Sequence, residues 1–148
     1  MTSGTTTNAE RTTVDERRFA EVRRHVESVG VDQDVQHEIY HDDAVLEFPQ
    51  SGERFEGVAN FRVWREQYPG NVRIQAQKIT GDGDLWVAQT GVSYDGGPWN
   101  PAVAILEYRG NLVAHETIYV AEPFEAPEWR ARWRAAPQPD EQADPGAS

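Results

Sequence analysis

Four runs rich in Val, Ile, Thr and Tyr fill the chain from residue 72 to residue 121, and the breaks between them are short and glycine-bearing. The runs are 72–79, 84–94, 100–108 and 112–121; the breaks are Gly81-Asp82-Gly83, Asp95-Gly96-Gly97-Pro98 and Arg109-Gly110-Asn111. Parallel neighbours need a crossover of a dozen residues or more, so breaks this short leave only antiparallel pairing. The second half of the chain therefore predicts an antiparallel meander.

What precedes the meander has a different period. Phe19, Val22, Val26 and Val29 recur at three- to four-residue intervals, the stripe of an amphipathic helix starting near Val14, and Gly30 ends it. Asp32 or Asp34 can cap a shorter second helix that turns Val35 and Ile39 inward. Residues 40–57 then pack several signals together. Tyr40 closes the helical pattern, Asp42-Asp43 breaks it, and 44–48 is an apolar strand stopped by Pro49. Ser51-Gly52 supplies turn chemistry, 53–56 returns as a brief partner strand, and Gly57 precedes a third helix with Phe61, Trp64 and Tyr68 on one face before Pro69-Gly70. Helices first and a meander afterwards is an α+β pattern. It predicts one domain over residues 14–134, in which a curved, mostly antiparallel sheet wraps around three N-terminal helices and leaves a cone-shaped cavity. Residues 123–133 read as a short helix closing one end. The polar segments 1–13 and 135–148 read as disordered.

A net charge of −11 and a pI near 4.7 exclude a phosphate-binding surface of the kind that nucleic acid or an anionic membrane requires. With no cysteine, thiolate metal sites and cysteine nucleophiles are excluded as well. No apolar run approaches the ~20 residues that span a bilayer, and the N-terminus lacks a secretory pattern, so the sequence reads as cytoplasmic. Phosphate-binding glycine loops and the G-x-S-x-G elbow are missing, and no cofactor is expected. One metal pattern is present: His37-Glu38-Ile39-Tyr40-His41 matches H-E-x-x-H, which on a helix sets two imidazoles one turn apart for zinc. It lacks a third ligand, the helix is short, and no metal is expected; zinc hydrolysis is kept as a minor alternative.

Tyr40-x-Asp42-Asp43-Ala44 running into a strand, Pro49 at its end, Gly57 opening the third helix, and Gly110-Asn111-Leu112 before a strand that reaches Tyr119 resemble the nuclear transport factor 2-like superfamily. Within it the chain resembles the SnoaL-like polyketide cyclases and the Δ5-3-ketosteroid isomerases over residues 14–133. The resemblance implies that the His115–Thr117–Tyr119 face of the last strand lines the cavity, with Leu46 and Phe48 from the first strand, Tyr40, Trp64 and Tyr68 from the helical segments, Gln50 at the mouth and Asn100 from the third meander strand. Carried across residue by residue, the isomerase machinery does not survive. Its general-base aspartate falls on Phe48, its oxyanion-hole tyrosine on Arg24 and its oxyanion-hole acid at or beside Ala104. The cyclase histidine matches His115, but the aspartate two residues on matches Thr117. The expected function is cofactor-independent proton transfer (isomerisation, cyclisation or dehydration) on a small hydrophobic carbonyl-bearing molecule, with His115 as acid–base and Thr117 and Tyr119 as orienting donors. The alternative is a binding module that does no chemistry. A homodimer through the outer sheet face is also expected, carried by Val103, Ile105 and Ile118.

Overall fold

The computed structural model describes residues 7–137, so the disorder expected for residues 1–6 and 138–148 lies outside the described residues. Helix α1 (Asn8–Ser28) begins at Asn8 rather than at Val14. The cause is a capping box: the Thr7 hydroxyl accepts from the Glu10 amide, and the Glu10 carboxylate accepts from the Thr7 amide. Its buried stripe is Arg18, Val22, His25 and Val26, with Phe19 turned outward. Gly30 turns the chain with φ +77°, and a Cβ there would lie 2.1 Å from the Val72 carbonyl oxygen, so the exit of α1 presses directly on the sheet. Helix α2 (Gln33–His37) is capped by the Asp32 carboxylate, as expected.

The sheet opens with β1 (Tyr40–Phe48) and β2 (Glu53–Glu56). Tyr40 is thus the first residue of a strand and does not close a helix. Helix α3 (Val58–Glu66) follows, ending before Tyr68. The meander is β3 (Val72–Asp82), β4 (Leu85–Tyr94), β5 (Asn100–Arg109) and β6 (Leu112–Val120). The six strands lie in the order β2-β1-β6-β5-β4-β3, antiparallel except where β1 runs parallel to β6. Helix α1 packs across β3 and β4, and α3 across β1 and β2. The expected closing helix is a 3-10 helix, Glu128–Trp133, with exposed Trp129 and Trp133, and it contributes nothing to the cavity wall. No helix among the described residues is long and apolar enough to cross a membrane.

Register decides which residues face the helices. Trp86, Leu106, Glu116, Leu46 and Phe55 are successive cross-strand partners over β4, β5, β6, β1 and β2, forming one row on the inner face. Leu106 and Leu46 in that row are fully buried, together with Phe61 and Val22 from the helices. The neighbouring row, Val87, Ile105, Thr117, Glu47 and Arg54, therefore lies on the outer face. Replacing Leu106 by Ala deletes buried atoms where facing layers are held by strand pairing and cannot collapse inward. Urea unfolding should show a loss of about 2–5 kcal/mol.

Candidate functional site

Between the helices and the inner sheet face lies a cavity of about 950 Å3. Its walls are mostly apolar: Val26 from α1 and Val29 just past its end, Trp64 from α3, Phe48 from β1, and Ile74, Val92, Ala104 and Ile118 from the meander. An adjoining recess of about 640 Å3 shares Phe48, Trp64, Tyr94 and Val120 and extends the space towards Gln50 and Phe55. Phe48, Phe55 and Trp64 stack edge-to-face and tilted at 4.9–6.2 Å between ring centres, making a rigid aromatic corner.

One set of polar groups in and behind the cavity wall gathers around Glu116. Its side chain is 2% exposed and lines the wall between two apolar row-mates. The Tyr40 hydroxyl donates to Glu116 Oε1. His25 Nε2 lies 3.7 Å from Oε2 and 3.4 Å from the Tyr40 oxygen. His25 Nδ1 donates to the Gln36 carbonyl at 2.7 Å; since a carbonyl only accepts, this contact fixes a proton on Nδ1 and leaves Nε2 as the nitrogen that faces Glu116. Arg65 completes the cluster. Its Nη1 donates to His37 Nε2 at 3.1 Å, and both Nη atoms approach the Tyr40 oxygen at 3.4 and 3.5 Å.

Each charge state has a physical cause. Burial is the largest single influence on Glu116 and favours its neutral form, but His25, Arg65 and the Tyr40 hydroxyl together outweigh it and hold the carboxyl below its ordinary value. Burial, with the Glu116 charge behind it, pushes the Tyr40 phenol well above its ordinary range, so it remains a donor. His37 is lowered to about 4 by burial first and by the neighbouring Arg65 charge, against a bond from its Nδ1 to the Gln33 carbonyl at 2.6 Å. It is therefore neutral near pH 7 and accepts from Arg65 through Nε2.

The structure redistributes the residues expected from sequence. Phe48, Trp64 and Tyr68 do line the cavity, and Gln50 lines the recess while its Oε1 accepts from the Val120 amide at 2.7 Å. Leu46 is buried beneath the wall, and Tyr40 reaches the site only through its hydroxyl. Asn100 sits at the β4–β5 turn with its amide on the Val92 and Pro98 carbonyls, away from the wall. The expected face of β6 is inverted. His115, Thr117 and Tyr119 lie on the outer face, with His115 held between Glu107 at 2.6 Å and Glu47 at 3.1 Å. Residues 116 and 118 are the inward set because Glu116 pairs with Leu46 and Leu106, Val113 joins them in the core across a β-bulge, and Ile118 lines the cavity instead of the outer face. His25, Arg65 and Glu116 were missed, although His25 lies on the Val22–Val26 stripe and Arg65 is one turn from Phe61. The H-E-x-x-H segment is not one helix: α2 ends at His37, His41 belongs to β1 and bonds the Arg109 carbonyl, and Glu38 pairs with Arg24 at 2.7 Å.

The fold is thus an α+β one, with helices packed on the inner face of a six-stranded mixed sheet and a cavity between them whose wall carries Glu116. No protein-family model and no curated protein matches the chain. Among solved structures it is similar to an NTF-2-like protein of unknown function from Burkholderia xenovorans LB400, at 35% identity, covering 86% of this chain and 98% of that one, with a TM-score of 0.75. It is also similar to a candidate ketosteroid isomerase from Kribbella flavida DSM 17836, at 21% identity, 85% and 93% coverage and a TM-score of 0.76. A candidate SnoaL-like polyketide cyclase from Jannaschia sp. CCS1 matches at 17% identity, 72% and 87% coverage and a TM-score of 0.62. The chain belongs to the NTF-2-like superfamily.

Two acidic transitions in stability should be separable. The folded His37 resists protonation while the unfolded chain takes it up near 6.5, so its contribution is present above about 6.5 and is lost as pH falls towards about 4. Glu116, depressed in the folded state, contributes above its ordinary value of 4.5, and that contribution is lost only below it. Urea midpoints measured between pH 7 and pH 3 should fall in both ranges, and His37→Gln should flatten the upper one alone.

Proposed function

We propose that this chain is an enzyme that transfers a proton on a small, largely apolar carbonyl-bearing molecule, with Glu116 as the exchanging carboxylate. The observation that carries the reading is a buried carboxyl group in the wall of an apolar cavity, bonded by the Tyr40 hydroxyl and with an imidazole Nε2 3.7 Å from it. Burial strips the Glu116 carboxyl of its hydration shell, and Tyr40, His25 and Arg65 favour its charged form, which is the form able to accept a proton. His25 is placed to take or return the proton, and Tyr40 donates to the carboxylate and fixes its orientation. The aromatic corner of Phe48, Phe55 and Trp64 supplies the apolar contact that holds the substrate. Similarity in fold to a candidate ketosteroid isomerase and a candidate polyketide cyclase supports the class of chemistry and leaves the substrate open.

Ligand binding without chemistry is the second reading, favoured by the internal satisfaction of the cluster: Glu116, Tyr40, His25 and Arg65 already engage one another. A thermal-shift screen of hydrophobic ketones, followed by mass spectrometry of the incubated ligand, separates the two. The enzyme reading expects stabilisation with chemical change, and Glu116→Gln should keep the stabilisation while lowering turnover by about 10²–10⁴-fold. Stabilisation with no change in any ligand gives the chain to the binding reading. His115→Ala serves as the comparison: a loss there with Glu116→Gln unaffected would return the chemistry to the outer face.

The outer face also supports a proposed homodimer. Val87, Val103, Ile105 and Thr117 form a half-buried patch beside the Glu47–His115–Glu107 cluster. Sedimentation equilibrium at micromolar concentration should give twice the chain mass, and Ile105→Glu should return the monomer.

A further inference from the structure

Arg65 occupies a position that a hydrophobic residue would fill at lower cost. It follows Phe61 by one turn on the buried side of α3 and lines the cavity, surrounded by the rings of Trp64 at 5.2 Å and of Tyr40 and Phe61 at 5.8 Å. A guanidinium brought into such surroundings normally has a carboxylate beside it. Arg18, Arg23, Arg24, Arg54, Arg62 and Arg109 each have one within 4 Å. Two arginines on the cavity wall have none among the described residues: Arg73, which is exposed and lies over the Trp99 ring at 5.5 Å, and Arg65, which is the one in contact with the Tyr40 hydroxyl beside Glu116.

Its contacts are also one-sided. Nη1 serves His37 and Tyr40, and Nη2 approaches Tyr40, so the bonds gather at the Nη end of the guanidinium. A guanidinium has five N–H donors in a planar fork. The Nε–H and the outer Nη2–H, which run parallel along the other edge, are left without a protein partner among the described residues. That edge has the spacing of a carboxylate's two oxygens.

We infer that the cavity takes an anionic ligand, a carboxylate on a largely apolar body, with the carboxylate on the Nε/Nη2 edge of Arg65 and the body against Phe48, Trp64 and Tyr68. The inference rests on the cavity being a ligand site, and it adds the substrate class. Glu116 is the opposing charge. The Tyr40 hydroxyl stands between it and Arg65, bonded to Glu116 and within 3.4 Å of Arg65, and His25 stands at the other carboxylate oxygen. Glu66, which also borders the cavity, is turned to Arg62 at 3.9 Å. The acid cluster is thus occupied internally while the Arg65 edge is not.

Isothermal titration calorimetry with 2-naphthoate and its neutral isostere 2-naphthamide tests this at pH 7.5. The wild-type chain should bind the carboxylate at least about tenfold more tightly than the amide, the value of one charge-assisted contact. In Arg65→Gln the preference should vanish while amide affinity stays within about twofold, given a circular dichroism spectrum like that of the wild type. Arg65→Lys keeps the cation and loses the fork, so it should retain only part of the preference, and it stands in should the Gln variant fail to fold. Equal affinities in the wild type, or a preference that survives Arg65→Gln, overturn the inference and leave the cavity reading intact. Binding of neither probe removes both.

Discussion

A negative charge in the middle of an apolar strand row is the constraint around which this structure is arranged. Glu116 is flanked across the sheet by Leu106 and Leu46, both fully buried. Removing a carboxylate from water costs several kcal/mol even after relaxation, so an unaided Glu at this position would be neutral or would open the fold. The aid comes from three other elements: Tyr40 at the start of β1, His25 on α1 and Arg65 on α3. Each partner is then anchored in turn, His25 to the Gln36 carbonyl and Arg65 to His37, whose other nitrogen reaches the Gln33 carbonyl. One continuous set of contacts thus joins α1, α2, α3, β1 and β6. The short helix α2 acts in it through the Gln36 carbonyl and the His37 side chain, which explains how a five-residue helix can matter to the site.

Such a network is a poor way to stabilise a fold. Well-packed apolar residues of similar volume are often as stabilising as a buried ionic group or more so, whereas removing a single partner from the ionic set is costly. A Leu at position 116 would continue the Leu106–Leu46 row without requiring Tyr40, His25 or Arg65 to be polar. The presence of all four therefore calls for a reason other than stability. An ionised carboxylate in contact with an apolar cavity supplies one, because desolvation and fixed neighbours are the conditions under which a carboxylate exchanges protons with a bound molecule.

The order of elements was legible because turns and periodicities are local. Gly-bearing breaks at 81–83, 95–98 and 109–111 announced the hairpins, and the Asp32/Asp34 pair announced a cap for α2, which Asp32 provides. The start of α1 was hidden because its box is made by Thr7 and Glu10 in a segment with almost no apolar residues, where composition suggests disorder. The facing of β6 was legible in principle. Ala114 and Ile118 flank Glu116 on one parity, and His115, Thr117 and Tyr119 are the more polar set, so the alternation already favoured an outward histidine. The resemblance to better-known relatives pulled the assignment the other way. Arg65 and His25 escaped because a charged residue on a buried stripe looks like a local exception, and its partners lie far away in sequence: Glu116 is 51 residues from the arginine and 91 from the histidine (116 − 65 and 116 − 25).

Two adjacent residues of β6 show how strongly facing sets chemical potential. His115 lies between Glu47 and Glu107 on the outer face, with each of its ring nitrogens on a carboxylate. All three side chains are a third exposed or more, so water and salt screen them, and contacts of this kind contribute roughly 0–1 kcal/mol. The two carboxylates also occupy opposite edges of the ring, so they do not converge on a point where a metal or a substrate atom could sit. Glu116 is one residue further along the chain and on the other side of the sheet, where the same kinds of group, a carboxylate, an imidazole and a guanidinium, meet with little water between them. There Coulomb interactions are several times stronger at equal distance. A bound molecule displaces little solvent from the charged groups and feels them directly. The residue types differ little between the two clusters; the pleat of the strand makes one a solvated surface contact and the other a site.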